Sequence, residues 1–356
     1  MQLSPRAEAI VLPLAAVVIA LIIGAGLILT QDANPFTAYQ ALLSGAFGSW
    51  GDFARTLEKT TPLILTGLAV IVALKGGLFN IGAQGQLLMG ALFSAWAGYQ
   101  ITGLPRLLHV PLALAFGIFF GVITAAFAGF LKAWRGAHEV ITTIMLNAII
   151  INLTEYLAGG PWQEKGTAIS RTPPIEGSAK IPRIADLPVG FFVALLCAAG
   201  VWFLVKRTTT GFAISTIGAN KNAATYGGIS VARITVLTMA ISGGLAGLGG
   251  AVETQGVVGR YEPGFNSGLG FDGITVALLA RTEPLAAIPA ALLLGIMRAG
   301  GTEMAFKAGV EQEIVDVILA IILLLVAAPI VVRWLLRLDR SNSGSDTIRL
   351  SSGWGS

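Results

Sequence analysis

Runs of about twenty residues with almost no charge recur along this chain, and about twenty apolar residues is the length a helix needs to cross hydrocarbon. Ile10 to Thr30, Pro111 to Lys132, Phe191 to Val205 and Ile314 to Val332 are the clearest of them. None alternates apolar with polar residues in ~10-residue pieces, which excludes a transmembrane β-barrel. Composition agrees, with 12% of residues charged and 54% hydrophobic, against roughly 25% charged in soluble domains. The chain reads as an all-α, polytopic transmembrane helical protein. Its first run follows Arg6 but exceeds the ~7–15-residue core of a secretory signal, and no small-residue cleavage site with a soluble domain follows, so it counts as a span. The single cysteine, Cys197, excludes a disulfide framework or a cysteine metal site.

About ten spans follow, near 9–30, 60–75, 83–100, 110–131, 139–158, 188–205, 234–256, 268–281, 284–301 and 314–333. They make one transmembrane domain over 1–340, followed by a Ser/Gly-rich tail, 341–356, expected to be disordered. Arg6, Lys75, Lys132, Arg135, Lys206, Arg207, Lys221, Arg233, Arg281, Arg333, Arg337 and Arg340 fall on one side of this plan. Basic residues mark the cytoplasmic side, so both termini are expected there. Arg55, Lys59, Arg106, Lys165, Arg171, Lys180, Arg183, Arg260 and Lys307 fall on the other face, together with most of the acids. Two outer-face segments, 31–59 and the proline-rich 160–187, read either as interfacial helices with a lid over the outer mouth or as plain connections. Spans two to five and seven to ten are each four helices that start on opposite sides, as an inverted repeat requires.

Several polar motifs interrupt the apolar pattern. Gly76 to Gln86 (GGLFNIGAQGQ) packs four glycines, Asn80, Gln84 and Gln86 between spans two and three. Irregular polar backbone at membrane depth must line a cavity or pack on protein, so this is a broken helix beside a pathway or a tight hairpin at the surface. In span five, Thr143, Asn147 and Thr154 share one helical face, with Asn152 nearby. That stripe either lines a solute path or makes interhelical hydrogen bonds. Phe271 and Asp272 open span eight after flexible glycines, and Asp272 also suits a helix N-terminus. Asn80, Gln84, Gln86, Asn147, Asn152, Phe271 and Asp272 are the candidate pathway residues. Span seven is dense in small residues from Gly243 to Ala251, a close-packing signal. Thr208 to Arg233 (TTTGFAISTIGANKNAATYGGISVAR) is a compact polar segment between apolar halves, and a partner other than lipid must contact it.

The segments GLFNIGAQGQLLMGA, HEVITTIMLN, IGANKNAATYGGISVAR with SGGLAGLGGAVE, and GFDGITVALLARTEPLAAIPAALLLG occur in that order. Together they resemble the membrane permeases of ABC importers in the branched-chain amino acid and simple sugar family, over roughly residues 60 to 330. HEVITTIMLN is most similar to the nucleoside-importing branch, whose receptor is a basic-membrane-protein-type lipoprotein. The resemblance implies a ten-helix inner-membrane subunit that pairs with a second, identical or homologous permease, two cytoplasmic ATPases and an extracytoplasmic solute-binding lipoprotein. It also implies that Gly218, Ala219, Asn220, Ala223, Ala224, Tyr226, Gly227 and Ile229 form short coupling helices that enter a cleft of the ATPase. Lys221 departs mildly from the family pattern there.

The residues themselves fit this reading. Small side chains at 218, 219, 223 and 224 permit close approach, and Tyr226 is the kind of rigid anchor enriched in interface hot spots. No GxxxxGK[ST] phosphate loop exists in the chain, so ATP and Mg belong to the partner ATPase, no cofactor is expected here, and the chain is not expected to be an enzyme. Nucleic acid is not among the expected partners. A nucleoside is the expected solute, with a simple sugar or a branched-chain amino acid as alternatives, because the HEVITTIMLN resemblance implies it and no paired acid and base suited to a zwitterion is evident in the spans. An ion-coupled secondary transporter would need mid-helix acids, and Glu155, Glu253, Glu303 and Asp316 sit mostly near span ends.

Overall fold

The computed structural model describes residues 5–184, 186–264, 268–327 and 331–333, so the 341–356 tail lies outside the described residues. Thirteen helices are described: α1 (Pro5–Leu29), α2 (Pro35–Phe47), α3 (Trp50–Lys75), α4 (Ala83–Gln100), α5 (Arg106–Arg135), α6 (Glu139–Gly159), α7 (Val189–Arg207), α8 (Thr209–Ala219), α9 (Lys221–Tyr226), α10 (Val231–Glu253), α11 (Leu269–Leu279), α12 (Ala287–Ala308) and α13 (Gln312–Ala327). A hairpin of two short strands, β1 (Arg183–Ile184) and β2 (Leu187–Pro188), interrupts the 160–187 connection. Each expected span coincides with a helix. Among the described residues six are long and apolar enough to cross a membrane: Trp50–Lys75, Arg106–Arg135, Glu139–Gly159, Val189–Arg207, Val231–Val258 and Pro284–Ala308.

One difference from the sequence expectation has a physical cause. Helix α3 begins at Trp50 rather than near residue 60, because its polar first turns are helical although too polar to count as membrane-grade. There Thr61 and Thr66 donate their hydroxyls to the carbonyls of Leu57 and Pro62, at 2.7 and 2.9 Å, which satisfies them inside the helix. The polar segment after α7 folds into two short helices, as the resemblance implies. Thr208 caps α8 through Gly211 N–H, and Asn220 caps α9 through the N–H groups of Asn222 and Ala223.

The chain packs as two units, residues 1–56 with 293–356, and residues 57–292. In the first, α1 lies against α13 around Leu12, Ala16, Ala20, Val315, Ile318 and Ile322, all buried. Gln31 clasps Glu311 from both amide ends, donating to its carboxylate at 3.1 Å and accepting from its N–H at 3.2 Å. The opposite side of α1 carries exposed Leu14 and Ile22, as a lipid-facing helix should.

In the second unit, α10 lies between α4 and α5 with almost no side chain at the contacts. A Cβ on Gly247 would run into the Gly117 carbonyl oxygen of α5, one on Gly90 of α4 into Gly247, and one on Gly250 into the Leu87 carbonyl oxygen. Backbones that approach this closely gain dispersion contact where the hydrophobic effect gives helices in lipid no drive to associate. Gly247→Val therefore costs at least the ~1–3 kcal/mol of an overpacked core. The expected result is loss of folded protein in detergent and a lowered unfolding temperature. Gly200→Val, where a Cβ meets nothing within 4 Å, serves as the control and stays near wild type.

Candidate functional site

Helices α8 and α9 meet at Asn220 and present a small, polar, exposed corner. Ala219, Asn220, Ala223, Tyr226 and Gly227 are exposed, Gly218 and Ile229 half-buried and Ala224 buried. The Tyr226 ring is 93% exposed, with neighbours too small to cover it. Behind this corner Gly218 lies directly on the end of α3, its Cα about where a Cβ on Gly77 would come within 3.0 Å. That end closes with Gly77 at φ +67, Leu78 N–H bonded to Ala73 carbonyl at 3.0 Å and Gly77 N–H to Leu74 carbonyl at 3.0 Å. The paired bonds form a Schellman motif, in which glycine is the residue that takes the left-handed position without strain.

Beyond Gly77 the chain turns into the polar segment that leads to α4. Asn80, Gln84, Gln86 and Asn147 are buried, and each spends its amide inside the protein. Asn80 Nδ2 donates to Gln86 Oε1 and to Ser242 Oγ, both at 2.8 Å, while Asn80 Oδ1 accepts from Gln86 Nε2 at 2.9 Å and Gly82 N–H at 3.0 Å. Ser242 Oγ passes the chain on to the Ala69 carbonyl at 2.7 Å. Asn147 accepts from Gly85 N–H at 2.8 Å and donates to Ile81 carbonyl at 2.9 Å. Gln84 Oε1 accepts from Gly270 N–H at 2.8 Å, tying the first turn of α11 to α4. The structure thus brings these four together as a network that satisfies irregular backbone.

Asn152, Phe271 and Asp272 stand apart from that network. Asn152 is exposed on α6, with Nδ2 donating to Ala148 carbonyl at 2.7 Å. Phe271 is 44% exposed, and Asp272 lies in the first turn of α11, where its charge suits the helix dipole, with Gly268 rather than Asp272 at the cap position. Helix α6 itself has two faces. Thr143, Asn147, Ile150, Thr154 and Ala158 are buried, so the polar stripe seen in the sequence is the packed face. Asn152, Glu155 and Tyr156 look out from the other side.

The 160–187 connection is sewn onto the end of α10. That helix runs on through a π-helical turn, Thr254–Val258, and Gln255 there donates to both the carbonyl and the hydroxyl of Ser94 at 2.8 Å. Thr172 N–H donates to Tyr261 carbonyl and Thr172 Oγ1 accepts from Tyr261 N–H, both at 3.0 Å. Glu164 receives Arg171 Nε at 2.6 Å and Arg260 at 2.9 Å. Buried His109 adds a further tie, with Nδ1 2.8 Å from Ser178 Oγ and Nε2 3.2 Å from the Ala97 carbonyl.

At the opposite end of the same unit one carboxylate oxygen of Glu283 takes two cations, Lys206 Nζ at 3.1 Å and Lys75 Nζ at 3.3 Å. Glu283 is not among the site residues expected from the sequence. A lone acid within a cluster of basic residues was the available signal. Burial pushes the Glu283 carboxyl up, but bonding and attraction to Lys206 and Lys75 outweigh it and hold the group below its ordinary value of 4.5. Next to it Arg281 and Thr282 sit at φ +50 and +60, a conformation that costs non-glycine residues about 1–3 kcal/mol each. Among the described residues no group of three or more His, Cys, Asp or Glu is placed to hold a metal.

Apolar helices, glycine-mediated packing and buried amides that serve backbone define a polytopic membrane protein of the solute-permeating kind. The chain belongs to the family described as branched-chain amino acid transport system / permease component, whose profile matches residues 53–327. It is similar to a guanosine ABC transporter permease protein of Bacillus subtilis, 38% identical over 93% of this chain and 97% of that one. It is also similar to a nucleoside ABC transporter permease protein of Lactococcus lactis, 33% identical over 97% of this chain and 98% of that one. A glucose ABC transporter permease protein of Haloferax volcanii is 31% identical over 88% of this chain and 85% of its own. The family is the one the four motifs pointed to, and the chain is a transport component and not an enzyme.

Two measurements probe this geometry. Asn80→Leu leaves Gln86 and Ser242 short of partners, each costing about 1–3 kcal/mol, so thermal unfolding in detergent should shift well beyond that of Asn152→Leu, whose exposed amide bonds only its own helix. Glu283→Gln removes both ion pairs, but Glu283 is 47% exposed, so solvent screening keeps the loss at neutral pH within about 1 kcal/mol. Because the folded carboxyl is depressed, its contribution is present above 4.5 and disappears as pH falls through the folded value. Wild type and E283Q should therefore converge in acid.

Proposed function

We propose that this chain is the pathway-forming membrane subunit of an ATP-driven importer whose solute is a nucleoside. The observation that carries the reading is full-length similarity to two permease proteins named for guanosine and for nucleosides, at higher identity and coverage than the relative named for glucose. Such a subunit works with a second permease subunit, cytoplasmic ABC ATPases that use ATP and Mg, and an extracytoplasmic solute-binding lipoprotein. Helices α8 and α9 are the ATPase-coupling surface, with Ala219, Asn220, Ala223, Tyr226 and Gly227 at the contact and Gly218, Ala224 and Ile229 behind it. Exposure of the small residues around a projecting Tyr226 supports that role. Basic residues at 75, 132, 206, 221 and 281 support a cytoplasmic side for this segment, and both termini are cytoplasmic in the same reading. Ten spans in the inner membrane, with two to five and seven to ten as inverted repeats, remain our reading of the topology.

Of the residues expected along the solute path, Asn152 and Phe271 are exposed and Asp272 partly so, which supports contact with a solute there. Asn80, Gln84, Gln86 and Asn147 serve the path indirectly by fixing its wall. The coupling role is tested with Ala223→Glu, at an exposed position: the variant should fold and reach the membrane but lose ATPase co-purification and uptake. Normal co-purification and transport would remove α9 from the interface. Ala224 is fully buried, so a bulky change there tests folding instead. Uptake of labelled guanosine by the assembled complex, competed by other nucleosides and not by leucine or glucose, is the expected substrate profile.

A further inference from the structure

A cavity of about 260 Å³ opens beside α6, lined by Leu88, Ile151, Thr154, Glu155, Tyr261, Pro263 and Gly264. It lies a little under the ~300–1,000 Å³ typical of small-molecule sites, so a nucleoside would enter by one end and leave the rest in the mouth. Glu155 is exposed although it belongs to a helix long and apolar enough to span a membrane. A charge on such a helix faces water or protein rather than lipid. The cavity floor is built rigidly. Thr154 and Tyr261 are both buried and hydrogen-bonded to one another, and Thr154 donates to the Ile151 carbonyl at 3.0 Å. Tyr261 is clamped by its two bonds to Thr172, between Arg260 and Glu262, which pair with Glu164 and Arg171. Burial pushes the Tyr261 phenol up to about 12, so it stays neutral at physiological pH.

We propose that this cavity is a ribose subsite, in which the Glu155 carboxylate accepts hydrogen bonds from the vicinal hydroxyls of a nucleoside while Leu88, Ile151 and Pro263 face its apolar surfaces. The proposal rests on the nucleoside reading and narrows it to residues. A carboxylate is acceptor-only and takes two donors side by side, which a cis-diol supplies. Among the described residues no cation lines the cavity, so a phosphate or the carboxylate of an amino acid meets repulsion there. A hexose carries hydroxyls around its whole ring and would press some of them unpaired against Leu88, Ile151 and Pro263, at a desolvation cost.

The test uses the whole transporter reconstituted with its partners in proteoliposomes, measuring uptake of adenosine and of 2′,3′-dideoxyadenosine by wild type and Glu155→Gln. The receptor is common to both, so the change in the adenosine-to-dideoxyadenosine ratio isolates the permease. E155Q is expected to lower that ratio about tenfold, the scale of one lost charge-assisted hydrogen bond. An unchanged ratio, or an equal fall for both solutes, overturns the subsite. Ile151→Trp, at an exposed position, fills the cavity mouth and should block adenosine uptake while the ATPase still co-purifies; full uptake by I151W overturns the proposal even if E155Q fails to assemble. A wild-type complex that imports leucine or glucose and no nucleoside defeats the functional reading itself, a result distinct from any E155Q outcome.

Discussion

The close approach of α10 to α4 and α5 through glycine is the contact on which the larger unit depends. In lipid the exclusion of water does not drive helices together, so affinity must come from backbone surfaces that fit without intervening side chains. Gly90, Gly117, Gly121, Gly243, Gly247 and Gly250 supply those surfaces, and bringing the three helices so near fixes everything carried at their ends. The π-helical turn after α10, the clamp between Thr172 and Tyr261, and the reach of Asn80 to Ser242 all presuppose α10 at this depth.

That packing leaves an irregular stretch between α3 and α4 whose backbone has no helical partners. Each orphaned polar group there would cost about 1–3 kcal/mol, so Asn80 and Asn147 bond its backbone, Gln86 pairs with Asn80, and Gln84 ties in the first turn of α11. Asn152, on the exposed side of α6, takes no part in these bonds.

Much of this was legible in the sequence, because apolar runs report membrane helices directly and because glycines in span seven announced close packing before any partner helix was known. The segment 208–233 was legible too, as a polar, small-residue stretch between apolar halves that folds into an exposed corner. Which face of α6 is packed was not. Thr143, Asn147 and Thr154 form a stripe that reads equally as path or contact, and only the position of Gly85 and Ile81 against Asn147 decides it. The pairing of Glu283 with Lys75 and Lys206 was signalled only by one acid among basic residues, because the three lie far apart in the chain and are joined by helix ends that meet in space.

Gly218 and Gly77 touch backbone to backbone, with no side chain between them to compress or swing aside. Protein interiors with so little free volume transmit strain rather than absorb it. The joint behind the α8–α9 corner is therefore stiff in the manner of a push-rod: a load that shifts the end of α8 must either move the turn that carries Asn80 or break the Schellman closure of α3. A soft residue at either position would turn the same joint into a cushion, with the two ends free to move independently.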